Sequence, residues 1–119
     1  MKLKIDTSKL DKINISLIDK ETKIVEQNFE AKYQQAEKLL PSIDKMLKKA
    51  KFNLRALQEI LVENRGDSFS GLRIGVVTAN ALGYALGIPV KAVSSSSVEQ
   101  KTNQFDVVAP IYSKEPNIT

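Results

Sequence analysis

The stretch SFSGLRIGVVTANALGYALGIPV, Ser68 to Val90, decides how the rest of the chain is read. Placed at 3.6 residues per turn, Leu72, Ile74, Val76, Val77, Leu82, Tyr84 and Leu86 point nearly all round, and only Arg73, Thr78 and Asn80 interrupt them. The segment predicts a helix from about Ser70 to Leu86, closed by Gly87 and Pro89. A helix apolar on every side has to be covered on every side. One face can lie on a sheet and a second can meet another helix, and a chain of 119 residues has little left to cover more. Gly71, Gly75, Ala79, Gly83 and Gly87 recur every fourth residue. The interior glycines cost about 1 kcal/mol each in helix propensity. Close packing must offset that cost, against this chain's own sheet, against another protein's helix, or both.

Working outward, EILVE (Glu59 to Glu63) is a short apolar run bounded by charge, which suits a buried strand. PVKAVS on the far side of the helix is another. NLRALQ opens at Asn53, a residue suited to cap one short helical turn. AKYQQAEKLLPSIDKMLKKA (Ala31 to Ala50) repeats Ala36, Leu40, Ile43, Leu47 and Ala50 at helical spacing, with Leu39 and Met46 widening the stripe. Pro41 inside it should bend or divide the helix. Before it, LKID (Leu3 to Asp6), INISLI (Ile13 to Ile18) and IVEQNF (Ile24 to Phe29) read as strands in a meander. In the second of these, Ile13, Ile15 and Leu17 face one way and Asn14 and Ser16 the other. Three strands, helix, strand, helix, strand predict an α/β fold with a mixed five-stranded sheet and packed helices. That succession describes a single ribonuclease-H-like lobe over residues 1–96. Ser94 to Gln104 is small and polar and reads as a linker (97–104 in its narrowest form). Residues 105–119 form a tail in which Pro110 and Pro116 favour an extended segment or an edge strand, docked on the lobe or on a partner.

Composition narrows the chemistry. The chain has no cysteine and no histidine, which removes disulfides, thiolates and the commonest general base and metal ligand. Its net charge of +4 is compatible with handling RNA and equally with a soluble surface carrying spare lysines. The opening MKLKIDTSKLDK alternates and is charged, unlike a signal peptide, and no apolar run reaches the roughly 20 residues of a membrane helix. A cytoplasmic location follows as the expectation, with no membrane partner.

The loop NRGDSFSGLRIG has three readings. As a glycine-bearing turn opening a helix it presents N–H groups to an anion, with Ser68, Ser70 and Arg73 adding contacts. It lacks a GK[ST] pattern, and Asp67 would repel a phosphate. As a plain turn it uses Ser68 or Ser70 as N-cap. The tripeptide Arg65-Gly66-Asp67 spells an integrin-recognition sequence, which is read as coincidence here.

Four segments carry a family resemblance. IDTS at Ile5 to Ser8, AEKLLPSIDKMLKKA with its Leu-Pro step, SFSGLRIGVVTANALGYALGIPV and APIYSKEPNIT are together similar to the TsaB (YeaZ) family of bacterial threonylcarbamoyladenosine-biosynthesis proteins, in the actin-like ATPase superfamily. Three departures accompany the likeness. Arg65, Gly66 and Asp67 stand where the family usually has G-P-G. Gln34 and Gln35 stand where a histidine is often found. The chain has room for one lobe where the family has two, so the linker stands in place of the second.

The resemblance implies a non-catalytic scaffold subunit of the complex that modifies the adenosine beside the tRNA anticodon. Its partners would be a catalytic TsaD-like subunit and a TsaE-like ATPase, with tRNA reached indirectly through the complex. It implies a helical bundle with TsaD, which maps onto Leu39, Ile43, Met46 and Leu47 with Val77, Asn80, Ala81 and Tyr84. It also places Asp6 where related ATPases keep a phosphate- or metal-facing acid. Asp6 and Thr7 therefore join Ser68, Ser70, Gly71 and Arg73 as a candidate anion- or nucleotide-facing set. No cofactor is expected of the chain alone, since related ATPases bind nucleotide between two lobes; ATP and Mg²⁺ enter only in complex with partners. Two alternatives stay open: a homodimeric scaffold pairing through the same helices, and a metal- or nucleotide-dependent hydrolase using Asp6, Glu63 and Asp67.

Overall fold

A computed structural model describes residues 1–9, 11–31, 34–66, 69–93 and 111–112. Three strands lead the chain: β1 (Lys2–Asp6), β2 (Lys12–Asp19) and β3 (Thr22–Glu30). Helix α1 (Gln35–Lys49) follows, then a single 3-10 turn (Leu54–Ala56) and β4 (Glu59–Val62). A two-residue strand β5 (Arg65–Gly66) precedes α2 (Phe69–Leu86), and β6 (Val90–Ala92) and β7 (Ile111–Tyr112) complete the order. The main sheet runs β3-β2-β1-β4-β6. β1 is antiparallel to β2, and parallel to β4, which is parallel to β6. This is the mixed five-stranded sheet that the succession of patterns predicts.

The register explains where the core lies. Leu3 pairs with Leu17 and Ile60, and Ile5 with Ile15 and Val62. All six are fully buried, because alternation puts them on one face of the pleat. Both helices pack on that face. From α1 come Leu39, Ile43, Met46 and Leu47, and from α2 Val76 and Ala79. The opposite face carries the alternate residues: Lys2, Lys4 and Asp6 of β1, Asn14 and Ser16 of β2, Glu59 and Leu61 of β4. Ser16 is a correction to the half-buried reading of β2. It is fully buried, and its Oγ has no hydrogen-bond partner among the described residues.

Other expectations need adjusting. α1 begins at Gln35 rather than Ala31, and Pro41 does not divide it. A proline interrupts one intrahelical bond, and the four core side chains on either side of it hold the two halves in register. Asn53 does sit at the N-cap of the 3-10 turn, yet without a side-chain capping bond. α2 begins at Phe69, so Ser70 lies within its first turn and does not cap it. Part of the opening loop forms β5, which pairs in parallel with β7: Arg65 with Ile111 and Gly66 with Tyr112. Ile111 and Tyr112 therefore pair with the lobe beside the start of α2; the other residues of 105–119 lie outside the described residues. The linker reading, 97–104, lies outside the described residues, as do Asp67 and Ser68.

Among the described residues, no helix is long and apolar enough to cross a membrane.

Candidate functional site

α2 is two-faced. Gly71, Leu72, Gly75, Val76, Ala79 and Gly83 are buried. On the other side Val77 is 65% exposed and Tyr84 71%, with Ala81 exposed between them. These three stand at i, i+4 and i+7 and so form one stripe. Asn80, half-buried, flanks it. No charged residue occurs from Ile74 to Val90, so this face can lose water without stranding an ion.

The glycine line turns out to serve the chain's own sheet. A Cβ at Gly75 would collide with Thr7 Oγ1, and one at Gly83 with the Val90 side chain. Thr7, fully buried at the end of β1, donates through Oγ1 to the Gly71 carbonyl at 2.5 Å. The glycines thus let α2 lie close to β1 and β6, which fixes the face it leaves outward.

α1 borders a second apolar surface, in part through residues other than those the resemblance implies. Leu39, Ile43, Met46 and Leu47 are buried. They hold α1 on the sheet, and Ile43 also borders the groove described next. Leu40, one position from Leu39, is 50% exposed. With Pro41, Ile43, Asp44, Leu54 and Leu82 it lines a groove of ≈ 350 Å³ between α1, the 3-10 turn and α2. The adjacent Leu39-Leu40 pair was the available signal: neighbours stand about 100° apart around a helix, so both rarely sit at the centre of its buried face. Asp44 is paired with Lys48 at 3.0 Å on the rim.

Of the candidate anion set, Ser68 lies outside the described residues, and the described members are divided between the interior and two sides of the molecule. Thr7 and Gly71 are bonded to each other in the interior. Ser70 and Arg73 are exposed on α2, on the helical layer. Asp6, by alternation with Ile5, lies on the opposite face of the sheet, where its Oδ1 accepts hydrogen bonds from Ser8 N (2.9 Å) and Ser8 Oγ (2.6 Å). Of the trio proposed for a metal-dependent hydrolase, Glu63 accepts from Arg65 N at 3.3 Å. Among the described residues no group of three or more Asp, Glu, His or Cys could hold a metal ion.

Two carboxylates on the polar sheet face are tuned by lysines. Burial acts to raise the Glu59 carboxyl. The ammonium groups of Lys91 (2.9 Å) and Lys2 (3.2 Å) outweigh it and hold Glu59 below the ordinary carboxylate value. Glu26 is also lowered, first by the hydrogen bond from Asn14 and then by Lys23.

Comparison with known proteins accords with this architecture. A family model described as "TsaD: tRNA N6-adenosine threonylcarbamoyltransferase" matches residues 28–116. The tRNA threonylcarbamoyladenosine biosynthesis protein TsaB of Bacillus subtilis is 31% identical over 112 residues, covering 92% of this chain and 48% of that protein. TsaB of Buchnera aphidicola is 31% identical over 96 residues, covering 81% and 45%. The chain thus spans about half the length of these curated relatives. YeaZ from Pseudomonas aeruginosa superposes with a TM-score of 0.71 at 27% identity, covering 77% of this chain and 42% of that one. A Bacteroides thetaiotaomicron protein with an actin-like ATPase fold, 17% identical at a TM-score of 0.53, shares the fold. On sequence and on structure alike, the chain belongs to the TsaB (YeaZ) family.

Proposed function

We propose that this chain serves tRNA threonylcarbamoyladenosine biosynthesis as a non-catalytic scaffold in the cytoplasm. Its partner is a TsaD-like catalytic subunit, docked on the stripe Val77, Ala81 and Tyr84 and on the adjoining groove at Leu40 and Pro41. A TsaE-like ATPase and tRNA enter through that complex. The observation that carries the reading is the α2 face itself: large apolar groups more than half exposed, on a segment without charge, beside an apolar groove. The names of the relatives supply the pathway.

Co-purification with the TsaD homologue of the same organism tests this. Val77→Glu puts a charge at the centre of the stripe and should weaken binding at least tenfold, since an unpaired buried charge costs several kcal/mol. Tyr84→Ala should weaken it by a further measurable factor, because exposed aromatics anchor interfaces. Neither residue supports the core, so urea midpoints should stay close to wild type. Binding unaffected by Val77→Glu, or absent from the unmodified chain, overturns the assignment.

A further inference from the structure

β3 is the outer strand of the main sheet. It pairs with β2 on one side, and among the described residues nothing pairs with its other side. Thr22 to Glu30 is a long run for a bare edge, and it holds no proline or glycine. Such an edge templates pairing with another strand unless proline, bulges or charges guard it. Its one bulge lies at the hairpin end. Leu17 pairs with Val25 and Ile18 with Lys23, so Ile24 is the extra residue. Lys23 therefore stands on the rung next to Val25, and Gln27 is the middle of the seven rungs that run from Lys23 to Glu30. One bond fixes which backbone groups are free. Ala31 N donates to the Asp11 carbonyl at 2.8 Å, so Ala31 turns its groups toward β2. Rungs of an antiparallel pair alternate between bonded and non-bonded. Phe29, Gln27 and Val25 therefore point inward as well. Glu30, Asn28, Glu26 and, past the bulge, Lys23 point their N–H and C=O groups outward.

The side chains make this edge complementary to itself. An antiparallel copy must keep side-chain faces matched and set outward-pointing residues opposite one another. The registers that do so with the longest overlap centre on Glu26, Gln27 or Asn28. Centring on Glu26 sets two glutamates face to face, and centring on Asn28 sets Glu26 against Glu30 twice. Like charges directly opposite destabilise a pair of strands. Centring on Gln27 sets Lys23 against Glu30, Val25 against Phe29 and Glu26 against Asn28, each twice. Those rungs are ion pairs, apolar pairs and carboxylate–carboxamide pairs, with glutamine against glutamine at the two-fold axis. Val25 and Phe29 are half-buried against the core, while Glu26, Asn28 and Glu30 are exposed. Glu26 gives Oε2 to Asn14 and Lys23, which leaves Oε1 to accept from Asn28 of the copy. We propose that two copies of this chain pair through β3, antiparallel about Gln27, and join their five-stranded sheets into one. α2 packs over β1, β4 and β6, away from this edge, so the dimer leaves the Val77–Tyr84 stripe free for a different protein.

The test is analytical ultracentrifugation of the 119-residue chain from about 1 μM to about 1 mM, the range in which a small edge interface associates. A monomer–dimer equilibrium is expected there. Asn28→Pro removes one outward N–H and spares the ladder with β2. It should weaken dimerisation roughly tenfold or more and leave the urea midpoint close to wild type. Charge reversal reads the register and decides the matter should the proline variant fail to fold. Lys23→Glu and Glu30→Lys each set like charges opposite one another, so each should weaken self-association several-fold. An equimolar mixture of the two variants should recover it, because every reversed residue then meets its opposite. Cross-linking reads the register a second way, since the chain has no cysteine of its own. Gln27→Cys faces its copy across a non-bonded rung, at about 4.5 Å between Cα atoms, and should oxidise to a covalent dimer; Glu26→Cys lies diagonal to its copy and should cross-link far more slowly. A chain monomeric up to about 1 mM, a dimer that Val77→Glu abolishes and Asn28→Pro leaves intact, no recovery in the mixture, or faster cross-linking through Glu26→Cys than through Gln27→Cys would each overturn the proposal.

Discussion

Two residues with the same backbone task show how much a single side chain decides. α1 and α2 end alike: Phe52 N bonds to the Leu47 carbonyl and Ile88 N to the Gly83 carbonyl. Each closure needs a left-handed residue just before the donor. α2 uses Gly87 at φ +68°, and α1 uses Lys51 at φ +65°. A Cβ at Gly87 would meet nothing within 4 Å, so the difference is one of backbone preference alone. Lys51→Gly should therefore stabilise the fold by about 1 kcal/mol and Gly87→Ala destabilise it by about the same amount, read as shifts in the urea midpoint at unchanged slope. The β2–β3 hairpin repeats the theme. Lys20 and Glu21 both adopt positive φ in a turn that asparagine and glycine usually occupy. DKETK is legible as a polar turn, and its left-handed geometry is not, because neither residue advertises it.

The elements divide by how much of their pattern the local chain controls. In β2 the alternation of Ile13, Ile15 and Leu17 names the buried face correctly. In α1 the spacing of Ala36, Leu40, Ile43, Leu47 and Ala50 is a true helical stripe, yet Ala36 and Leu40 are exposed and the core side is centred on Leu39, Ile43 and Met46. Adjacent leucines differ by about 100° around the axis, so a small rotation of α1 on the sheet exchanges their roles. Strands β1, β4 and β6 share a polar ladder in which Glu59 holds Lys2 and Lys91. The folded-state pKa of Glu59 is depressed, so its stabilisation is present above the unfolded carboxylate range and is lost as pH falls through the folded value. Replacing Glu59 by Gln should accordingly lower stability at neutral pH and flatten the acid limb of the stability profile. The measurement is urea unfolding from pH 7 down to about pH 3, and the two proteins should converge at the acid end.

At the scale of the molecule, one sheet separates two surfaces. Both helices and the proposed docking stripe lie on the apolar side, and the Glu59 ladder with Lys2 and Lys91 lies on the polar one. Groups on opposite sides of a sheet share no side chains, so their effects should add. The variant combining Val77→Glu with Glu59→Gln should lose TsaD-homologue binding to the same extent as Val77→Glu alone and stability to the same extent as Glu59→Gln alone. A departure beyond about 0.5 kcal/mol in either free energy would show the two faces to be coupled.

The order of the five main-sheet strands and the two helices, the alternation in β2 and the all-round apolar character of α2 were settled by the sequence alone, since period and turn residues act locally. Which side of each helix faces the sheet was settled by tertiary packing. Gly75 against Thr7 and Gly83 against Val90 bring α2 down on one line, and that leaves Val77 and Tyr84 outside. The same packing turned Leu39 inward and Leu40 outward, and sent Asp6 to the face opposite Ser70 and Arg73. It also paired Arg65 and Gly66 with Ile111 and Tyr112, positions far apart in sequence. Contacts between distant segments leave no periodic trace, because each depends on where the other lands.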